Sequence, residues 1–170
     1  MNIEKNWYIL HTNINTEKKV IDSLCRKKVE YYFPLNYIKV YNSKKLLSQP
    51  LFPSFVFVFT NMAEIESLKQ IPGVVNIIYW RKQPAIIPDD EIEILKNFVG
   101  NFFKNIQIRK ISVTAENISH SKYFNIEEFE GKTNTEKLLL PSLGYLLYCK
   151  KETAIETSPV HFSFRYKNAI

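Results

Sequence analysis

Hydrophobic positions along the first hundred residues change their period several times, and each change marks an element. Trp7-Tyr8-Ile9-Leu10-His11-Thr12 is aromatic and branched and stops at the polar Asn13-Ile14-Asn15, which predicts a first strand. Val20, Ile21, Leu24 and Cys25 then recur at helical spacing. Thr16 or Asn15 can cap this helix and Glu17 suits its first turn, while Lys18, Lys19, Arg26 and Lys27 fall largely on other faces. Residues 31–40 predict a second strand; Pro34, which has no N–H to give a ladder, implies an edge, a bulge or a late strand start. Asn42-Ser43-Lys44-Lys45 has the polarity of a hairpin tip.

The stretch from Gln49 to Phe59 has the strongest pattern, and from about Ser54 it predicts a strand that is apolar on both faces. Side chains alternate across a strand, so Phe55, Phe57 and Phe59 share one face and Val56 and Val58 the other. Asn61-Met62-Ala63-Glu64 has capping-box spacing ahead of a short helix along Met62, Ile65 and Leu68, which Pro72-Gly73 ends. Val74 to Tyr79 predicts another strand. After Pro84-Ala85-Ile86-Ile87-Pro88, the acidic Asp89-Asp90-Glu91 matches the positive end of a helix running along Ile92, Leu95, Phe98 and Phe102. Strand, helix, strand, strand, helix, strand, helix is the order of an α+β sandwich, an antiparallel sheet with helices on one face.

Beyond about residue 105 the pattern shortens. Ile106 to Val113 alternates, and two apolar runs, Lys137 to Leu140 and Tyr145 to Tyr148, flank Pro141-Ser142-Leu143-Gly144. That is a hairpin in a small all-β module. The expected organisation is a domain over 1–104, a β module over 105–157 and a C-terminal tail over 158–170.

Composition narrows the function classes. The 170 residues are 45% hydrophobic, enough for a core. No apolar run approaches the roughly 20 residues that span a bilayer, and the N-terminus lacks the apolar region of a signal peptide, so the expectation is a cytoplasmic protein without membrane contact. Cys25 and Cys149 stand alone, which supports neither a zinc site nor a disulfide framework. The net charge of +6 is uneven: residues 1–60 hold nine Lys/Arg against four Asp/Glu, and residues 61–100 hold four against six. The basic helix is therefore the strongest anion-binding candidate, although charge alone favours a solvated face. Phosphate-cradling glycine loops, metal-binding helices and nucleophile elbows are all missing from the sequence, and the histidines, His11, His120 and His161, lie far apart. No catalytic residue, metal or cofactor is expected; at a helix start, Asp89-Asp90-Glu91 serves as a cap before it serves as a cation site.

Five blocks, in order, resemble the N-terminal domain of NusG-type transcription elongation factors, above all specialised paralogues such as RfaH and the UpxY antiterminators of polysaccharide operons. They are Trp7-Tyr8-Ile9-Leu10, the basic helix, Pro50-Leu51-Phe52-Pro53-Ser54-Phe55-Val56-Phe57-Val58, Pro72-Gly73-Val74, and Pro84-Ala85-Ile86-Ile87-Pro88 before the acidic helix start. The resemblance implies a NusG-type αβ sandwich followed by a small, degenerate KOW-like β-barrel. It also implies a non-enzymatic antitermination factor that binds elongating RNA polymerase at the clamp helices of its largest subunit. The polymerase patch then corresponds to His11, Phe52, Phe55, Phe57, Trp80 and Ile92, and contacts to the non-template DNA strand correspond to Asn13, Lys19, Ser23, Arg26 and Lys27.

The chain departs from the family at two places. Where RfaH has a polar His/Thr run facing the gate loop, this chain has an acidic stretch with Glu64, Glu66 and Ser67. The Gly-rich opening turn of the KOW motif is not recognisable between residues 109 and 131, which bears on the family's ribosomal-protein and Rho contacts. A general NusG factor and a free-standing single-stranded nucleic-acid-binding module remain the alternative readings.

Overall fold

A computed structural model describes residues 4–40, 45–111 and 135–150. The chain divides into two compact units. One runs up to Pro34 and takes in Phe52–Ile92; the other takes in Leu35–Leu51 and the described residues from Glu93 onward.

The first unit is built on an antiparallel sheet of strands β1 (Lys5–Thr12), β2 (Glu30–Tyr32), β5 (Phe55–Asn61) and β6 (Val74–Ile77), in the order β2-β5-β1-β6. The apolar strand β5 is interior, flanked by β2 and β1. Its register sets Leu10 opposite Val56, Tyr8 opposite Val58 and Tyr31 opposite Val58. These residues form one face with Ile77. Onto it pack Val20 and Leu24 of helix α1 (Glu17–Arg26) and Ile65 and Leu68 of helix α2 (Met62–Leu68), making one buried cluster. The expectation that Val56 and Val58 face the protein's own helices is met.

Local chemistry sets the helix ends. Asn61 caps α2 as its spacing predicts, with its side chain accepting from the Glu64 N–H at 2.9 Å. Glu64 does not complete the reciprocal box; its carboxylate instead accepts from the Thr60 hydroxyl at 2.7 Å. Thr16 stands at the α1 N-cap position but makes no side-chain cap bond; its hydroxyl donates to the carbonyls of Asn13 and Gly73. Glu17 supplies an unexpected tie. It is 5% exposed, and its carboxylate accepts from the Ser54 N–H at 3.0 Å, joining the start of α1 to the turn that leads into β5. The Pro72-Gly73 turn is held against the same loop, with the Asn13 N–H donating to the Gly73 carbonyl. Gly73 has φ +99°, and a Cβ there would lie 2.9 Å from the Thr16 hydroxyl.

Two expected strands are corrected. Residues 31–40 do not form one strand: β2 ends at Tyr32, and after Pro34 a new strand β3 (Leu35–Lys39) pairs with β4 (Leu46–Pro50) in a separate sheet. Of the outcomes expected at Pro34, the late strand start is the one observed, with β3 beginning directly after it. Residues 74–79 likewise divide into β6 and β7 (Tyr79–Trp80), which pairs with β8 (Gln83–Pro84) as a small hairpin.

In the second unit, Tyr37 of β3 exchanges backbone bonds with Phe103 and Asn105, and the buried Asn36 side chain bonds both the N–H and the carbonyl of Ile106 at 3.0 and 2.8 Å. Helix α3 (Asp89–Asn101) opens with the three expected acids and stops before Phe102. Strands β9 (Gln107–Lys110), β10 (Thr135–Leu140) and β11 (Tyr145–Lys150) form an antiparallel sheet in the order β10-β11-β9. The predicted hairpin about residues 141–144 joins β10 to β11, with Leu138 opposite Leu147. The fold class is α+β with a small β module. The 42–44 part of the expected tip, the 112–134 stretch and the 158–170 tail lie outside the described residues.

Candidate docking site

On the second face of the main sheet, register brings Trp7, Ile9 and His11 of β1 opposite Phe59, Phe57 and Phe55 of β5, with Tyr32 of β2 opposite Phe57. Along this face buried Phe57 lies between half-buried Phe55 and Phe59. Phe57 is fully buried; the Phe52 ring meets it edge-on at 5.6 Å and the Tyr32 ring lies 6.1 Å away. Burial in this apolar setting pushes the Tyr32 phenol far above its usual range. At the end of the face nearest the Glu17 tie, Phe55 and His11 are half-buried and pack edge to face at 6.0 Å.

The six residues assigned to one patch therefore divide. Phe52, Phe57 and Ile92 are buried by the chain itself. A phenylalanine opposite Ile9 in an interior strand, with Phe52 and Tyr32 against it, behaves as core. His11 and Phe55 form a half-open pair. Trp80 is 70% exposed on the β7–β8 hairpin, and among the described residues its ring contact is the guanidinium of Arg81, 5.9 Å from the centroid. The structure does not bring the Trp80 ring against the rings of Phe52, Phe55 or Phe57.

The polar candidates on α1 form a stripe. Lys19, Ser23 and Arg26 follow helical spacing; the Ser23 hydroxyl donates to the Lys19 carbonyl at 3.0 Å, and Arg26 donates to the Ser23 oxygen at 3.0 Å. Arg26 is thereby oriented while its remaining N–H donors stay available. Lys27 lies at the α1 C-cap and Asn13 on the loop after β1, both exposed. The acidic stretch in α2 is internally bonded: Glu64 to Thr60, Ser67 to the Glu64 carbonyl, and Glu66 to the Tyr79 hydroxyl at 2.9 Å and to Lys69 at 2.6 Å. The bonds from Lys69 and Tyr79 hold the Glu66 carboxyl below its ordinary value, and the same carboxylate raises Lys69.

The profile of the family described as "Transcription termination factor nusG" matches residues 5–96, more than half of the chain and all of the sheet, helices and hairpin described for the first unit. The chain belongs to the NusG family. It is 24% identical over 137 residues to the transcription termination/antitermination protein NusG of Rickettsia prowazekii (strain Madrid E), covering 73% of this chain and 65% of that protein. It is 23% identical, with the same coverage, to the Rickettsia conorii protein of that name. The chain thus spans 65% of the length of these curated relatives. A structure titled "Domain interaction in Thermotoga maritima NusG" aligns with 18% identity and a TM-score of 0.46, covering 79% of this chain and 72% of that one.

All six patch residues and all five α1-region candidates fall within the matched NusG segment. Among the described residues of this NusG-family chain, no group of His, Cys, Asp and Glu is arranged to hold a metal ion, and no helix is long and apolar enough to cross a membrane. The residues that sequence reasoning missed are Glu17 and Tyr79. Glu17 looked like an ordinary first-turn acid, and only its burial reveals the tie. Tyr79 looked like the end of a strand and is instead the base of the exposed hairpin.

Proposed function

We propose that this chain is a cytoplasmic, non-enzymatic NusG-type factor that binds elongating RNA polymerase and promotes processive transcription of a specialised operon, in the manner of RfaH and UpxY proteins. One observation carries the reading. Within the family-matched segment, an apolar sheet face is closed at Phe57 but opens at His11 and Phe55, and an exposed tryptophan stands on a separate hairpin. Exposed aromatics beside buried aromatic support are the usual composition of an interface hot spot.

In this reading His11, Phe55 and Trp80 contact the polymerase clamp helices, and Phe52, Phe57 and Ile92 hold the surface from beneath. The α1 stripe, with Asn13, Lys19, Ser23, Arg26 and Lys27, lies along the non-template strand, so that part of the affinity falls as salt rises. A polymerase-binding part over 1–104 and a small β module over 105–157 are the functional division. A factor of this kind acts by differential binding: preferring the closed clamp by about 1.4 kcal/mol shifts the closed-to-open ratio tenfold.

The test is binding of Phe55→Ala and Trp80→Ala variants to the elongating polymerase. Lost binding with an unchanged circular-dichroism spectrum supports the assigned surface; normal binding by both sinks it. Mapping occupancy along the genome separates a specialised factor, confined to one or a few operons, from a general one.

A further inference from the structure

The turn that delivers Phe55 to the sheet is held by a side chain from another element. The Phe55 N–H donates to the Phe52 carbonyl at 3.2 Å, closing a turn with Pro53 second and Ser54 third. Ser54 is buried and has φ 65°. Positive φ at the third position, after a proline, is the type II form, which glycine takes freely and serine does not. The type I alternative differs by a flip of the central peptide, whose N–H belongs to Ser54. That N–H is the one that donates to the Glu17 carboxylate, at 3.0 Å. On its other side Ser54 is held by β1, its carbonyl accepting from the Thr12 N–H at 2.8 Å. Glu17 is 5% exposed. An acid serving only the helix end would stay in water, because burying a carboxylate costs free energy that a specific bond must offset. His11 and Phe55 are the last register pair of the β1–β5 ladder, directly beside this turn, and their rings meet edge to face at 6.0 Å.

We propose that Glu17 is a positioning residue of the docking site: by holding the Ser54 N–H it keeps the 52–55 turn in its left-handed form and so fixes the Phe55 ring against His11. The proposal rests on the reading that His11 and Phe55 meet polymerase, and adds the residue that presents them. A pair at the end of a ladder has ladder bonds on one side only, and the turn supplies the restraint on the other. Without the carboxylate the central peptide is free to flip, Ser54 leaves the left-handed region and the end of the ladder frays. Strained backbone of this kind persists only where its surroundings hold it. Glycine in place of Ser54 would keep the turn without help. Positioning and plain stabilisation therefore differ in what they predict. A chain that is less stable but still folded binds as before, whereas one whose presenting turn is only fractionally populated loses affinity in proportion.

The experiment uses the full chain and the cognate polymerase elongation complex, at a temperature where circular dichroism shows every variant folded. In Glu17→Ala the left-handed turn is expected to fall to about one molecule in ten, which weakens apparent binding about tenfold. Glu17→Asp, one methylene shorter, keeps the acid at the helix start but withdraws its oxygen from Ser54, and should weaken binding in the same way. Glu17→Gln keeps an acceptor and should bind close to wild type. The double variant Glu17→Ala/Ser54→Gly should recover the binding that Glu17→Ala loses. The NMR cross-peak between the His11 and Phe55 rings reports the pair without polymerase, and should vanish in Glu17→Ala and return in the double variant. Wild-type binding by Glu17→Ala, or a cross-peak that survives in it, overturns the positioning role; if Phe55→Ala still abolishes binding, the docking reading stands. Loss in Glu17→Ala that Ser54→Gly does not repair also overturns the proposal, because the turn is then not what the carboxylate controls. Normal binding by Phe55→Ala overturns the docking role of the pair and the positioning role with it.

Discussion

Replacing Glu17 by alanine tests whether a single carboxylate joins helix α1 to the turn before β5. The Ser54 N–H that it accepts is buried, so Glu17→Ala leaves that donor without its partner. An orphaned buried donor costs about 1–3 kcal/mol, and a lost acid at a helix start adds about 0.3–1 kcal/mol. Alanine's better helix propensity returns a few tenths of a kcal/mol at about 0–0.7 per residue. The net expectation is about 2 kcal/mol of destabilisation, or roughly 4–8 °C in melting temperature for a chain of this size. Glu17→Gln keeps an acceptor oxygen and should lose less than about 1 kcal/mol. The assay is urea unfolding followed by tryptophan fluorescence. The chain has two tryptophans, the buried Trp7 and the exposed Trp80, so a Trp80→Phe background makes Trp7 the reporter for the first unit. A shifted midpoint at constant slope gives the stability change. Glu17→Ala within about 0.5 kcal/mol of the parent, below the partner-loss range, refutes the tie. Equal damage from Glu17→Gln shows that charge, rather than an acceptor at Ser54, is what matters.

Phe57→Ala empties a fully buried site and should cost about 3–5 kcal/mol, whereas Phe55→Ala and Trp80→Ala, being partly or largely exposed, should cost far less in the same unfolding assay. Asn36→Ala strips both partners from the buried Ile106 backbone and should destabilise the second unit by about 2 kcal/mol or more, read as faster amide exchange at Ile106. For Glu66 the folded carboxyl is depressed, so its contribution is present above the ordinary value of 4.5 and is lost as pH falls through the lower folded value. Lys69 is raised, so its contribution holds below 10.5 and is lost as pH rises through the higher folded value. NMR titration should find the Glu66 midpoint below 4.5, moving back toward it in Lys69→Ala and in high salt.

Much of the fold was legible because it depends on periodicity and on local caps. Val20 and Leu24 at helical spacing, the Asn61 cap, and the two apolar runs about residues 141–144 each state their own structure within a few residues. What was not legible depends on partners distant in sequence. Pro34 announced a disruption, but whether it bends a strand or divides it depends on what residues 35–39 find to pair with, and they find residues 46–50. Asn36 lies 70 residues from Ile106, and nothing local in either segment signals the bond. Glu17 has the same difficulty across 37 residues, hidden by a location where an acid needs no further explanation.

The aromatic face shows where alternation stops being informative. Phe55, Phe57 and Phe59 point the same way, and a pattern of period two cannot say which of them is covered. Coverage is decided by residues from elsewhere: Phe52 from the preceding turn and Tyr32 from β2 close over Phe57, while Phe55 has His11 beside it and stays half-open. The same chemistry thus yields full burial at Phe57 and half-burial two residues to either side. Trp80, just past the expected strand, is carried out on a hairpin whose turn is Arg81 and Lys82. Function in this chain is therefore expected where the local pattern and the exposure disagree, at Phe55 and Trp80, since natural sequences keep such conflicts chiefly where they are used.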